Sequence, residues 1–226
     1  MSAARPLPPR PAALIFDFDG VLVDSEPLHC QTISETLVAH GWPPVPWDLY
    51  QKTLMGFDDR DAFRHAAPVG TSERDIAALV AEKAALFAAL AEAGRVPPLP
   101  GAAEAVRRAM ATGLPVALCS GALRSDVEPV LRHLDLVSAF PVLVTAEDVA
   151  HSKPDPESYR LVLSKLGVAP EKAIVFEDSL DGLLSATAAG IPVYGITTHL
   201  PPAVLRSHGA AATAPSLALA VDTLLA

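Results

Sequence analysis

Apolar and polar positions along this chain fall into blocks, and the blocks predict a mixed α/β fold. Six largely apolar stretches without strict alternation are predicted as strands: 12–16, 115–119, 142–145, 173–176, 193–195 and 211–213. Continuous apolar runs are typical of parallel strands that are covered on both faces. Turn residues and helical patterns follow these stretches, so we predict a three-layer, Rossmann-like parallel sheet flanked by helices.

The segment between the first two strands has a different pattern. Its spacing predicts helices over 27–40, 59–66 and 74–93, with a turn-rich stretch before residue 59. Residues 94–101 then carry three prolines between two glycines, which suits a linker. We therefore predict an α/β core domain of residues 1–26 and 97–226, and an inserted all-α helical cap domain of residues 27–96.

Composition narrows the class of protein further. The chain has 226 residues, is 50% hydrophobic and carries a net charge of −9, which argues against nonspecific nucleic-acid binding. Cys30 and Cys119 are far apart, as expected for free thiols in a reducing compartment. No stretch reaches the roughly 18 apolar residues of a membrane span, and the N-terminus lacks a signal-peptide core. We expect a cytoplasmic protein, with no obligate protein partner evident.

Two acids stand directly after the first predicted strand, in Asp17-Phe18-Asp19-Gly20. Because side chains at i and i+2 of an extended chain point the same way, Asp17 and Asp19 face one site. Gly20 allows a sharp turn and a close approach to a ligand. Taken alone, acids beside a glycine are equally compatible with an ordinary turn.

Polar groups follow three further strands. Ser120-Gly121-Ala122 combines a hydroxyl with backbone amides at a helix start, which suits an anion. Lys153 in Lys-Pro-Asp-Pro offers an ammonium group, and Glu177-Asp178 offers oxygen ligands of the kind that Mg²⁺ binds. Each could serve only as a cap or a surface charge, but a parallel sheet brings such strand ends to one edge. Together they indicate a site for a phosphate and a cation.

In this order, the residues resemble the motifs of the haloacid dehalogenase superfamily, in its capped phosphatase and β-phosphoglucomutase-like branch. The segment 17–27 is similar to the first motif, Ser120 to the second, Lys153 to the third and Glu177-Asp178 to the fourth. The resemblance implies a Mg²⁺-dependent phosphatase that acts on a small-molecule phosphate ester, such as a sugar phosphate.

The resemblance also implies roles for individual residues. Asp17 would be the nucleophile that accepts the phosphoryl group, and Asp19 the general acid and base. The other implied assignments are Lys153 and Ser120 as catalytic groups on the phosphate oxygens, Gly121 and Ala122 as substrate-binding residues, and Asp17, Asp19, Asp178 and Glu177 as the metal site. Many relatives carry a second acid four residues after Asp178. This chain has Gly182 there, so Glu177 is expected to take that part.

Within the cap, His29 and Lys83 are similar in position to residues of β-phosphoglucomutases, and the resemblance implies that they bind substrate. Arg60 lies one position away from a cap arginine of those enzymes. Whether Arg60 and Lys83 contact substrate is left open by the sequence.

Two other functions remain open at this stage. A phosphomutase would use the same site but pass the phosphoryl group from Asp17 to a second sugar position. A non-enzymatic phosphate-binding protein is the third reading, although binding alone has no use for a nucleophile beside an acid. The natural substrate and the oligomeric state are not determined by the sequence.

Overall fold

The computed structural model describes residues 4–55 and 57–226. It divides into two compact units, one of Met1–Asp24 with Pro97–Ala226 and one of Ser25–Val96. The first division lies two residues before the boundary drawn from the sequence, and the second coincides with it.

The first unit contains a six-stranded sheet in which every neighbouring pair is parallel. Its strands are β1 Ala13–Phe16, β2 Val116–Cys119, β3 Val142–Val144, β4 Ala173–Glu177, β5 Val193–Ile196 and β6 Ala210–Ala214. Their order is β3-β2-β1-β4-β5-β6, so β1 lies between β2 and β4. Phe16 at the end of β1 is in register with Leu118 and with Phe176. This register places the carboxyl ends of β1, β2 and β4 side by side.

Helices account for most of the remaining described residues. They are α1 Glu26–Ala39, α2 Trp47–Thr53, α3 Asp59–Ala66, α4 Glu73–Glu92, α5 Ala102–Ala111, α6 Arg124–His133, α7 Glu157–Leu166, α8 Leu180–Ala188, α9 Pro202–Ser207 and α10 Leu217–Leu225. The first four lie in the second unit, which has no strand among its described residues. The predicted α/β class, a parallel sheet with flanking helices, is confirmed.

Helix α2 was not expected, since the prolines before it suggested turns only. It begins after Pro46, whose extended backbone precedes the first turn, where a proline costs no helical hydrogen bond. Tyr50 is the buried residue of this helix, and its hydroxyl donates to Glu26 Oε2 at 2.5 Å. A short helix with one buried side chain shows almost no periodic pattern of apolar residues in the sequence.

Each unit has its own apolar core. In the sheet unit all residues of β1, β2 and β5 are buried, whereas β3 and β6 at the sheet edges are partly exposed. In the helical unit the core contains Leu37, Phe63, Ile76 and Leu79. Cys30 and Cys119 are both buried and unbridged. Across the described part of the chain, no helix combines the length and the apolar character that crossing a membrane requires.

Candidate active site

The acidic groups and the lysine singled out in the sequence converge at the carboxyl edge of the sheet. Asp17 directly follows β1, and its N–H donates to the carbonyl of Phe176 at 3.0 Å. Lys153 Nζ lies 2.6 Å from Asp17 Oδ1 and 2.8 Å from Glu177 Oε1. Asp17, Glu177 and Asp178 each offer an oxygen within 4.8 Å of the other two. Parallel strand pairing therefore brings together residues that are up to 161 positions apart.

The loop after β1 turns back tightly at Gly20. Gly20 has φ of +70°, and its N–H donates to the carbonyl of Val23 at 2.8 Å. A Cβ atom at this position would overlap the Asp178 carboxylate. Both the left-handed backbone and the close approach of Asp178 therefore require glycine here. Asp19 is half-buried in the same loop. Burial is the main cause that raises the pKa of Asp17 and Asp178, and the charge of Asp19 adds to it.

Lys153 is the cation at the centre of the site. Besides the two acids, its ammonium donates to the carbonyl of Cys119 at 3.0 Å and to the hydroxyl of Tyr159 at 3.2 Å. Burial opposes the charged form, but the carboxylates of Asp17 and Glu177 outweigh burial and raise the pKa of Lys153 well above its usual value. Lys153 is therefore a fixed positive charge next to Asp17.

Glu177 is fully buried, and both of its oxygens are occupied by donors. Oε1 accepts from Lys153 and from the Tyr159 hydroxyl, and Oε2 accepts from the N–H groups of Asp178 and Ser179 and from the Ser179 hydroxyl. A cation would reach Glu177 only if one of these donors moved. Asp17 Oδ2 and Asp178 Oδ1 meet no such competitor among the described residues. In this arrangement Glu177 anchors Lys153.

Gly182 stands at the position where many relatives of the resembled family carry a second acid, and the structure gives a reason for the glycine. A Cβ atom at residue 182 would overlap the Glu177 carboxylate. An acid at position 182 and a glutamate at position 177 thus compete for the same space. The small residue allows Glu177 to lie beneath Lys153.

The charge of the site favours a divalent cation. Three carboxylates, those of Asp17, Glu177 and Asp178, lie close together, and the ammonium of Lys153 bonds to the first two. Burial, followed by the charge of Glu177, raises the pKa of Asp17 well above its usual value. Burial also raises the pKa of Asp178 to about 6, although a hydrogen bond from His199 opposes the shift. A buried excess of negative charge on hard oxygen donors fits a divalent ion such as Mg²⁺.

The serine loop follows β2 at the same edge. Ser120 is buried, and its Oγ accepts from the N–H of Ala122 at 2.9 Å, so this amide is used within the loop. Gly121 is exposed. Among the residues the structure describes, the Ser120 hydroxyl donates to no other protein group, so its proton is available to an anion.

Three residues near the site were not identified from the sequence. Tyr159 in α7 bonds to both Lys153 and Glu177, but a buried aromatic residue in a helix reads as core packing. Thr198 donates to the carbonyl of Gly20 at 2.6 Å, and His199 Nδ1 lies 2.8 Å from Asp178 Oδ2. Both follow β5. The sequence offered one indication of their position: the fifth strand in chain order is also parallel, so the loop after it lies at the same edge of the sheet.

In the helical unit, the structure brings His29 and Lys83 together. Lys83 is fully buried, and its Nζ lies 2.7 Å from His29 Nδ1 and 2.8 Å from Asp59 Oδ1. Burial and the neighbouring Lys83 lower the pKa of His29 well below its usual value, so His29 is neutral. Arg60 is not part of this cluster. It is exposed and lies 3.4 Å from Glu73.

A parallel sheet with an acid cluster and a buried lysine at its carboxyl edge defines a class of α/β enzymes built for phosphate groups. Residues 14–196, most of the chain, match the family of haloacid dehalogenase-like hydrolases. The chain belongs to this family, and the resemblance drawn from its motifs is confirmed.

The alignments with named relatives span most of this chain and most of each relative. A phosphorylated carbohydrates phosphatase of Thermotoga maritima is 35% identical over 193 residues, which is 83% of this chain and 86% of the relative. Validoxylamine A 7'-phosphate phosphatase of Streptomyces hygroscopicus subsp. limoneus is 34% identical over 186 residues, 81% and 84% of the two chains. Among solved structures, CbbY from Rhodobacter sphaeroides in complex with phosphate aligns with a TM-score of 0.76 at 29% identity, covering 92% of this chain and 95% of that one. A point mutant of the same protein has also been solved in complex with xylulose-(1,5)bisphosphate.

Proposed function

We propose that this chain is a Mg²⁺-dependent phosphatase that hydrolyses a small phosphorylated metabolite, a sugar phosphate, through an aspartyl-phosphate intermediate on Asp17. At the coarser level, the chain is a phosphoric monoester hydrolase of the haloacid dehalogenase type. One observation carries the finer proposal. The buried ammonium of Lys153 is bonded to Asp17 and Glu177, and Asp178 completes an acidic group beside it.

Two aspartates divide the chemistry. A carboxylate oxygen of Asp17 attacks phosphorus, the bond to the ester oxygen breaks, and Asp19 donates a proton to the leaving alcohol. Asp19 then takes a proton from a water molecule, which attacks the acyl phosphate, releases inorganic phosphate and restores Asp17. One difficult displacement is thereby divided into two easier ones.

The acidic residues also define the metal site. In the proposal, the side chains of Asp17 and Asp178 and the carbonyl of Asp19 hold the cation, with Glu177 in the same acidic group. When bound, Mg²⁺ supplies neutralising charge for the phosphoryl oxygens. Glu177 acts mainly through Lys153, because its oxygens are occupied by protein donors.

The phosphate is held by groups from two other loops. Lys153 directs a permanent positive charge at the position next to the Asp17 carboxylate. In the proposal, the Ser120 hydroxyl and the N–H of Gly121 bind phosphoryl oxygens at the end of β2. The N–H of Ala122 donates to Ser120 Oγ, so it would take part only if that bond opened. Preorganised donors of this kind stabilise the charge that develops on the transferred group.

The helical unit Ser25–Val96 is proposed to act as the cap that selects the substrate, with His29 and Lys83 as substrate-binding residues. The support is the buried cluster in which Lys83 is held between His29 and Asp59. A paired polar cluster inside a small helical unit costs desolvation energy and is compatible with a structural role as well as with binding, so variants of Lys83 are needed to separate the two.

The phosphomutase alternative is not favoured. Both curated relatives described above are named as phosphatases, and they are 34–35% identical to this chain. The non-catalytic alternative leaves the paired aspartates of the first loop without a purpose.

Phosphate release tests the proposal directly. Purified protein is incubated with p-nitrophenyl phosphate and with a panel of sugar phosphates, with and without Mg²⁺, and free phosphate is measured. We expect release that depends on the metal. Inactivity on the whole panel would contradict the proposal and favour a binding protein. Isomerisation of β-glucose 1-phosphate in the presence of a bisphosphate primer, without release of phosphate, would favour the mutase.

A further inference from the structure

The short loop after β5, residues 197–200, contacts two separate parts of the acidic site, and we call it the β5 loop. Its start is fixed to the sheet, because the N–H of Thr197 donates to the carbonyl of Ala214 at 2.9 Å. The hydroxyl of Thr198 then donates to the carbonyl of Gly20 at 2.6 Å. The next side chain, His199, places Nδ1 at 2.8 Å from Asp178 Oδ2. One anchored loop therefore holds both the first motif and the last acid.

The Asp178 carboxylate is confined on two sides. One side packs on the backbone of Gly20, where even a Cβ atom would not fit. On the other, Oδ2 is bonded to the His199 imidazole, whose Nε2 lies 3.8 Å from Asp24 Oδ1. A carboxylate that is free to rotate presents its oxygens in many directions. With Oδ2 engaged by His199, the direction of Oδ1 is set.

The hydrogen bond from Thr198 constrains a second part of the site, the loop after β1. The Gly20 carbonyl lies one residue after Asp19, so the bond from Thr198 fixes the loop that carries Asp17 and Asp19. The separation between this loop and Asp178 then depends on the β5 loop, which touches both. Groups that orient metal ligands in this way commonly change metal affinity by about 10- to 100-fold when they are removed.

We propose that the β5 loop is a positioning element for the divalent-cation site, in which His199 orients the Asp178 carboxylate and Thr198 fixes the loop of Asp17 and Asp19. This inference rests on the cation site of the proposed function. His199 and Thr198 are positioning residues, because each acts through another residue and not on the phosphate ester.

The test is a calorimetric titration of the metal-free, substrate-free protein with Mg²⁺. We expect His199→Ala to weaken Mg²⁺ binding by about tenfold or more, because Asp178 loses its orienting donor. His199→Asn should stay within about threefold of the native affinity, because its amide nitrogen can take the place of Nδ1. His208→Ala is the matched control. His208 is a partly buried histidine of the same unit that bonds to the carbonyl of Val204, and its loss should leave the affinity unchanged.

A second pair of variants covers the case in which His199→Ala does not fold. Thr198→Val removes the donor to Gly20 and should weaken Mg²⁺ binding, whereas Thr198→Ser keeps the donor and should bind normally. Thermal unfolding without metal identifies variants that have lost the fold. In folded variants, a saturating concentration of Mg²⁺ should restore kcat, because the catalytic groups are intact. A purely structural role would lower stability in the absence of metal and would not separate Asn from Ala.

Three results would overturn the inference: native Mg²⁺ affinity in His199→Ala, equal weakening in His199→Ala and His199→Asn, or no Mg²⁺ binding by the native protein. Phosphate release separates this inference from the proposed function. If the native protein hydrolyses esters with Mg²⁺ and His199→Ala binds the metal normally, only the positioning role fails. If His199→Ala weakens Mg²⁺ binding but the native protein releases no phosphate, only the proposed activity fails.

Discussion

Among the residues that the structure describes, each unit contains one lysine whose side chain is largely or fully buried, with 10% exposure for Lys153 and 0% for Lys83. Lys153 in the sheet unit and Lys83 in the helical unit each bond to a carboxylate at less than 3 Å. Each also has Nζ 4.8 Å from the centre of an aromatic ring, Tyr159 for Lys153 and Phe87 for Lys83. Burial and ion pairing alone do not distinguish them.

The difference lies in the charge around each lysine. Lys83 has one carboxylate, Asp59, and a histidine that is neutral, so its surroundings are balanced. Lys153 bonds to two carboxylates, with Asp178 as a third acid nearby, and burial together with the charge of Glu177 raises the pKa of Asp17. A balanced buried pair is compatible with a structural role, whereas a buried excess of negative charge is costly unless a cation offsets it. Charge balance, more than burial, identifies the catalytic candidate.

The largest effect is expected from Asp17→Asn. An amide cannot attack phosphorus, so phosphate release should fall by about 10⁴-fold or more. The fold should be retained, because replacing Asp17 relieves the crowding of buried carboxylates. Steady-state kinetics and thermal unfolding measure the two effects. Asp222→Asn is the matched control, since Asp222 lies on α10 in an exposed pair with Arg108.

Near-native turnover in Asp17→Asn would refute the nucleophile assignment. A covalent test sharpens the result. Acid quenching during turnover should trap one phosphoryl group on the native protein, detectable by mass spectrometry, and none on Asp17→Asn.

The comparison itself is tested by replacing each lysine with methionine. Lys153→Met should lower kcat by about 10³-fold, since it removes the fixed charge next to Asp17. Lys83→Met should lower the free energy of unfolding by about 1–3 kcal/mol, because Asp59 loses its partner. If Lys83 binds substrate, its effect on activity should appear mainly in KM. An equal loss of kcat in both variants would remove the distinction between the two lysines.

Gly182→Ala should have a smaller but distinct effect. Its Cβ would overlap the Glu177 carboxylate, so Glu177 and the attached Lys153 must shift. A misplacement of about 1 Å at a catalytic group lowers activity by about 10²-fold. The control is a double-mutant cycle with Glu177→Ala, which removes the overlapping carboxylate. Additive losses in this cycle would show that the two residues do not compete for space.

The sequence predicted the sheet and the order of its functional loops because both depend on local patterns. Continuous apolar runs identify buried parallel strands, and parallel strands bring their carboxyl ends together whatever their separation in the chain. The bonds of Glu177 were not predictable, since they depend on the packing of Gly182 and Tyr159 against it. His199 was missed because its role depends on the side-chain geometry of Asp178.

Stability without metal should depend on pH through Asp178. The pKa of Asp178 is raised to about 6, while the unfolded chain has its usual value near 3.9. Between these values the folded state binds more protons, so this group's contribution to stability falls as pH rises from about 4 to about 6. Mg²⁺ binds the ionised carboxylate, so its stabilising effect should be larger at pH about 7.5 than at about 5. Thermal unfolding at both values, with and without Mg²⁺, measures this.

Asp178→Asn provides the control for this pH effect, because it removes the titrating group and a metal ligand together. In that variant the gain in unfolding temperature from Mg²⁺ should be small at both pH values. A Mg²⁺ effect in the native protein that is equal at both values would contradict the assignment of Asp178.

The smallest effect is expected from Arg60→Ala, which tests an exposed cation against the two buried lysines. Arg60 is 51% exposed, and its contact with Glu73 is a long 3.4 Å, whereas Arg64 bonds to the same carboxylate at 2.8 Å. Exposed ion pairs of this kind contribute little, because water screens the charges and both side chains lose freedom. For Arg60→Ala we expect kcat, KM and the unfolding temperature to remain at their native values within error. Arg64→Ala, which loses the shorter ion pair with Glu73, is the comparison variant. A rise in KM of about tenfold in Arg60→Ala alone would instead make Arg60 a substrate-binding residue, and would show that the chemistry of the helical unit extends beyond its buried lysine.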